Sequence, residues 1–224
     1  MIANDFLTHL KESPLVFYIY QRGLEIYGIP NSPKSFLAIV AGKAYKVPKE
    51  YTKYKVSAPY MNIQYKVVYK ECEFYFIDIK EWFSKVINGE VLCWECACIN
   101  KKYIYKEYVK LLINTNPYNL RVQCLKYSED MMNLYNKFLA NKQEERAAKV
   151  LWEIINRVIL TNQIIENHKI VRYNDGAKFY NTIINSSNKI ETFNEIYNLQ
   201  LKKLYSLTDG IVKKIIQDKV IQKK

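Results

Sequence analysis

Glycine and proline are scarce, six of each in 224 residues, and histidine occurs only at His9 and His168. So few backbone breakers leave little room for long flexible linkers. Neither histidine has a Cys or Asp motif beside it, so the pattern gives no support to a catalytic triad or a His-based metal site. No apolar run approaches the roughly 18 to 20 residues of a membrane-spanning helix, and "FLAIVA" is among the longest. The opening "MIANDFLTHLKES" carries an early Asp and no basic-then-apolar layout. No secretory leader is therefore expected, and the expected setting is the cytoplasm, with no membrane partner. Cysteine is also sparse: Cys93, Cys96 and Cys98 form a C-x-x-C-x-C run, with Cys72 and Cys124 elsewhere. A structural zinc would need four ligands, so Cys72 would have to complete the set. The competing reading is that "VLCWECACI" is apolar throughout and its thiols are small core hydrophobes. Disulfides are not expected in a cytosolic chain.

What is abundant is positive charge: 34 Lys and Arg stand against 22 Asp and Glu, a net charge of +12. That balance favours polyanionic partners, nucleic acid first, through counterion release. The plainer alternative is that Lys, Asn, Ile and Tyr, all abundant here, reflect AT-rich codons. One basic stretch is patterned. "KKYIYKEYVK" spaces Lys102, Lys106 and Lys110 at i, i+4 and i+8, a stripe along one helix face. Tyr105 and its neighbours beside such a stripe would stack on bases while the lysines follow phosphates. A solvated helix with its tyrosines packed inward is the competing reading.

Along the chain, "NDFLTHLKE" reads as a short helix, and "PLVFYIY" and "SFLAIVAG" as strands bounded by Pro14, Gly23 and Gly42. Residues 43 to 60 read as loop or irregular edge. "NIQYKVVYK" and "ECEFYFID" read as two strands of a hairpin turning at Lys70 and Glu71. "IKEWFSKVI" is a helix stopped at Asn88 and Gly89, "VLCWECAC" a short helix, and "IYKEYVKLLI" a further helix ended by "NTNP". Beyond Pro117 the pattern is helical. Ser128 is the expected N-cap of "YSEDMMNLYNKFLA". Apolar residues at 150, 151, 154, 155, 158 and 159 mark a helix face. A last helix begins near Ile190, with Ile196, Leu204, Leu207, Ile211 and Ile215 along one side. The expected fold is α+β: a mixed sheet with flanking helices over residues 1–116, then a helical domain over 117–224.

The order strand, glycine turn, strand, hairpin and helix, followed by a helical half, resembles the polymerase-beta-type nucleotidyltransferase superfamily. The branch it resembles is the bacterial and phage group sometimes assigned to RNA repair. That family's signature is Gly-Ser, a short spacer to Tyr-Gly or Arg-Gly, then Asp-x-Asp at the start of a strand. Gly23, Tyr27 and Gly28 match the glycine part, with Leu24 in place of the Ser. Pro33, Lys34 and Ser35 stand where Asp-x-Asp would be, and Glu73 occupies the place of the third carboxylate. "GEVLCWECAC", with Glu95, is similar to a short Glu-bearing helix of the family. Lys149 fits the first place of a Lys, His, Arg series on a later helix, whose other two places hold Glu153 and Asn156.

What the resemblance implies is a retained scaffold with a degenerate site at Gly23, Leu24, Gly28, Pro33, Ser35 and Glu73. Nucleotidyl transfer needs two Mg²⁺ roughly 3.5 to 4 Å apart, and Mg²⁺ wants carboxylate oxygens. Pro33 has no ligand atom, Ser35 offers a neutral hydroxyl, and Lys34 puts a cation where cations would gather. Ser32 and Lys34 remain candidates to hold a phosphate without metal. The expected function is therefore binding of RNA, a nucleotide or a protein, with no catalytic residue, no cofactor and no resident metal. The first alternative is an active, divergent enzyme whose Mg²⁺ ligands come from Glu25, Glu71, Glu73 and Asp78. The second is a phage structural or assembly protein, in a virion, using the fold as a scaffold.

Overall fold

The computed structural model describes residues 4–29, 34–57, 65–98, 102–104 and 116–221. The expected α+β class is what the chain adopts: an N-terminal mixed sheet with flanking helices, then a helical bundle. Two compact units result. One comprises the sheet with its first helices; the other comprises Asn88–Val91 and the helices after residue 115.

Six described strands form one sheet: β1 (Val16–Arg22), β2 (Lys34–Val40), β3 (Lys55–Ser57), β4 (Tyr65–Tyr69), β5 (Cys72–Asp78) and β6 (Lys102–Ile104). Their spatial order is β3-β4-β5-β2-β1-β6. All neighbours are antiparallel except β2 and β5, which run parallel in unbroken register from Lys34 opposite Cys72 to Val40 opposite Asp78. Of these two central strands, β2 is buried from Ser35 to Val40, as a strand covered on both faces should be, whereas β5 alternates, burying Cys72, Phe74 and Phe76 and leaving Glu73 and Tyr75 half-buried on the other face.

Helix α1 (Asn4–Glu12) buries Phe6, Leu7 and Leu10 on one sheet face, against Phe36, Phe74 and Phe76. Phe6 meets Phe74 edge-on at 4.8 Å between centroids. The other face carries Tyr18, whose ring lies 6.0 Å from that of Trp82 in α2 (Ile79–Ile87). Helix α3 (Val91–Cys98) follows, and its Trp94 indole donates to the Val86 carbonyl at 3.0 Å.

In the second unit, α4 (Pro117–Ala140), α5 (Glu144–Asn167), α6 (Ala177–Ile184) and α7 (Lys189–Ile221) assemble around α5. Every residue of α5 from Val150 to Ile165 is buried except Glu153, so its polar residues need internal partners. Gln163 supplies four contacts to the chain that follows: its carbonyl oxygen accepts from the amides of Val171 and Arg172, each at 2.8 Å. Its amide donates to the Arg172 carbonyl at 2.9 Å and to Asp175 at 3.0 Å. Trp152 donates to the Gly176 carbonyl at 2.8 Å.

Several expectations are corrected. Ser128 is no N-cap: α4 starts eleven residues earlier, with Asn116 accepting the Tyr118 amide at 2.9 Å and Pro117 in the first turn. Proline lacks the amide hydrogen that a first-turn residue cannot pair anyway. Ser128 lies mid-helix and donates to the Cys124 carbonyl. The stretch after residue 42 is not merely irregular, because two 3-10 turns and the edge strand β3 lie in it. The turn Tyr173–Gly176 and helix α6 carried no sequence expectation. Ile104 belongs to a strand and not to the start of a helix; the rest of "IYKEYVKLLI" lies outside the described residues.

The β4–β5 hairpin turns on two residues, Lys70 at φ 46° and Glu71 at φ 61°. Both are left-handed, the type I′ arrangement that usually recruits Asn-Gly. Asp5 of α1 holds the turn, accepting from the Tyr69 hydroxyl at 2.8 Å and the Lys70 ammonium at 3.0 Å. Those hydrogen bonds, Tyr69 first, hold the Asp5 carboxyl down to about 2. Glu71 makes no such contact and still has the Cβ cost of a left-handed residue. Glu71→Gly should therefore stabilise the protein by about 0.5 to 1 kcal/mol, read as a higher urea midpoint with an unchanged slope.

Candidate functional site

The glycine turn that the sequence singled out is real. Gly23 (φ 96°) and Gly28 (φ 79°) bracket a 3-10 turn, Leu24–Tyr27, closed by the Ile26 amide on the Gly23 carbonyl at 3.2 Å and the Gly28 amide on the Glu25 carbonyl at 3.1 Å. Both backbone angles favour glycine. Leu24 is half-exposed, and Glu25 accepts from the buried Gln21 amide at 2.8 Å. Ser32 and Pro33 lie outside the described residues, and Lys34 opens β2.

Sheet register carries the next step. Ser35 of β2 lies opposite Arg22 of β1 on one side and opposite Glu73 of β5 on the other. Directly opposed residues share a sheet face, so Arg22, Ser35 and Glu73 form one row. The structure thus brings Ser35 and Glu73 together at the start of β2.

What surrounds Glu73 is cationic. Lys66 of β4 reaches diagonally across the hairpin, and its ammonium donates directly to the Glu73 carboxylate. The Tyr75 hydroxyl donates to the other carboxylate oxygen at 2.6 Å, and Lys66 also lies 3.4 Å from that hydroxyl. The Arg22 guanidinium sits 4.9 Å from the centroid of the Tyr75 ring. Burial acts to raise the Glu73 carboxyl, but the hydrogen bonds from Lys66 and Tyr75, with the charges of Lys66 and Arg22, bring it below its ordinary value. Burial acts to depress the Lys66 ammonium, and its bond to Glu73 outweighs that and raises it. Burial, then Glu73, raises the Tyr75 phenol.

These residues do not fit a magnesium pair. One carboxylate, already hydrogen-bonded to an ammonium, faces a neutral serine and an arginine, where two hard cations need several anionic oxygens. The other acids do not come to its aid. Asp78 lies at the far end of β5, five residues or about 17 Å away. There it caps α2, accepting the Lys80 amide at 2.8 Å. Glu71 stands exposed in the hairpin turn, and Glu25 is held by Gln21. Among the described residues no group of three His, Cys, Asp or Glu side chains comes together. Cys72 lies in the core cluster with Phe6 and Phe74, and Cys72, Cys93, Cys96 and Cys124 are all buried and outside any disulfide.

The basic stripe beginning at Lys102 is corrected in part. Lys102 lies in β6, opposite Tyr20 of β1, so it starts no helical i, i+4 series. Tyr105, Lys106 and Lys110 lie outside the described residues. Glu95 is buried in α3. In α5, Lys149 pairs with Glu145 at 2.7 Å, Glu153 receives the Tyr127 hydroxyl at 3.5 Å, and Asn156 is buried.

Sequence reasoning missed Lys66, Tyr75 and Arg22. The signal was present: once Lys70 and Glu71 form a two-residue turn, Lys66 must oppose Tyr75 and so lie diagonal to Glu73.

No family model matches the chain, and no curated protein matches it. A solved structure from Exiguobacterium sibiricum, described as a nucleotidyltransferase-like protein, is similar at 12% identity, with a TM-score of 0.33. The similarity covers 92% of this chain and 73% of that one.

Because the folded Glu73 carboxyl lies below its ordinary 4.5, its contribution is complete above that pH and is lost as pH falls through the folded value. Glu73→Gln should cost about 1 kcal/mol at pH 7, discounted for partial exposure. The difference from the parent protein should shrink as pH drops below about 4.5, read from urea unfolding across pH.

Proposed function

We propose that the chain is a catalytically inactive nucleotidyltransferase-like protein that works by binding a polyanion, RNA being the partner class best suited to its charge. The observation that carries this reading is the direct ammonium–carboxylate contact of Lys66 and Glu73, with Arg22 beside it. In a nucleotidyl-transfer site, anionic side chains collect metal cations, and the metals collect phosphate. Here the protein's own cations stand at the row, so phosphate oxygens would meet Arg22 beside Ser35 with no metal between, and Lys34 adds a cation at the same strand end, one residue before Ser35. Guanidinium and ammonium groups are the ordinary partners of phosphate. The net charge of +12 supports the same sign of ligand. The Gly23–Gly28 turn then serves as a backbone element beside a phosphate-facing strand end.

Binding of a labelled single-stranded RNA, followed by filter retention, tests this. Affinity should fall log-linearly as salt rises from about 50 to 200 mM. Arg22→Gln combined with Lys34→Gln should weaken binding and flatten the salt slope by about one to two charges. Mg²⁺ or Mn²⁺ with labelled nucleoside triphosphate should give no transfer. Salt-independent binding, or label incorporation that Glu73→Ala abolishes, contradicts the reading.

A further inference from the structure

A cavity of about 530 Å³ opens at the other end of the β2–β5 pair, where Val40 faces Asp78. Five residues separate this end from the Ser35–Glu73 row, so strand alternation turns it to the opposite sheet face. Its size lies within the range of small-molecule sites. The carboxyl ends of parallel strands are where open sheets often receive ligands.

One wall is an aromatic column. The Phe76 ring has Tyr45 stacked at 5.4 Å and Tyr65 at 5.5 Å, and the Lys55 ammonium stands 3.8 Å from the Tyr65 centroid. Tyr45 is 5% exposed, and its hydroxyl has no hydrogen-bond partner among the described residues.

The charges lining the cavity do not cancel. Asp78 accepts the amides of Lys80 and Glu81 at the start of α2, so a helix terminus meets its charge. Glu81 lies 3.9 Å from Lys85. Lys43, Lys46 and Lys55 also line the cavity, and none of the three has an ion-pair partner among the described residues. Gly42, at φ 50°, shapes the floor: a Cβ there would stand 2.1 Å from the Asp78 carboxylate. Only glycine lets this turn close over Asp78 and present Lys43 beyond it.

We infer that this cavity binds a small planar aromatic molecule carrying a negative charge, an aryl phosphate or aryl carboxylate. The ring would lie along the Tyr65–Phe76–Tyr45 wall, with its anionic group among Lys43, Lys46 and Lys55. A cation held over an aromatic face keeps its charge beside the ring position. This site is separate from the Arg22–Lys34 strand end and does not depend on the binding reading given for it.

Calorimetric titration of the full chain with 1-naphthyl phosphate tests the inference. Saturable binding is expected, weakened about tenfold or more when either 1-naphthol or inorganic phosphate replaces the probe. Lys43→Glu combined with Lys46→Glu, both exposed, should abolish it, circular dichroism confirming the fold. Tyr65→Leu should weaken it about tenfold, circular dichroism confirming the fold. Arg22→Gln with Lys34→Gln should leave it unchanged, whatever those substitutions do to RNA. The inference is overturned by no saturation, by equal binding of inorganic phosphate alone, or by indifference to the Lys43 and Lys46 pair. Loss of binding in the Arg22 and Lys34 pair instead would assign the probe to the other strand end and overturn it too.

Discussion

The contact of the Lys66 ammonium with the Glu73 carboxylate organises the N-terminal end of the sheet. Glu73 is the acidic side chain in the Arg22–Ser35–Glu73 row. Half-buried, it needs a partner, because an ionised carboxylate leaving water is costly unless paired and hydrogen-bonded. Lys66 and Tyr75 satisfy it from the same face of the hairpin, and Arg22 adds charge from the other side. The same contact ties β4 to β5 at the place where the parallel β2–β5 pair begins, adding to a register that the Lys70–Glu71 turn already sets.

The helical unit solves a different problem. Its central helix is buried on nearly all sides, yet contains Asn156, Arg157, Thr161, Asn162 and Gln163. Gln163 turns one of those burials into an anchor for the chain between α5 and α6, and the buried Trp152 adds a second. Thr161 returns its hydroxyl to the Arg157 carbonyl within the helix at 2.8 Å. Arg157 lies 4.9 Å over the Tyr127 ring, and Arg121 is flanked by the rings of Tyr118 and Tyr205 at 4.9 and 5.0 Å. Arginine suits such places because its planar, weakly hydrated cation stacks on aromatic faces. Burial pushes the Cys124 thiol up to about 11, which keeps it a neutral core group.

Much of the architecture was legible because hydrophobic period and turn chemistry are local. The strands at Val16–Arg22, Lys34–Val40 and Cys72–Asp78 follow from aromatic and β-branched runs, and the Lys70–Glu71 hairpin from their spacing. Ser128 misled because serine before acids looks like a cap, whereas Asn-Pro at 116 and 117 was the stronger start signal. Lys102 misled because an i, i+4 lysine pattern does not register edge pairing with β1, a non-local contact. At the candidate site, Gly23, Gly28, Ser35 and Glu73 were visible as positions, but the partners of Glu73 depended on cross-strand geometry. The aromatic cavity was invisible for the same reason: Tyr45, Tyr65 and Phe76 are far apart in sequence and meet only through the β2–β5–β4 order.

The proposed binding role stands on Glu73 being engaged by cations of the protein itself, and requires that it be closed to divalent metal. Paramagnetic broadening by Mn²⁺, followed at the backbone amides of Ser35 and Glu73, measures this directly. The account predicts no saturable broadening of those two amides at about millimolar Mn²⁺, a concentration at which weak surface carboxylates already respond. Selective, saturable broadening of both at micromolar Mn²⁺, reversed by Mg²⁺, would contradict it.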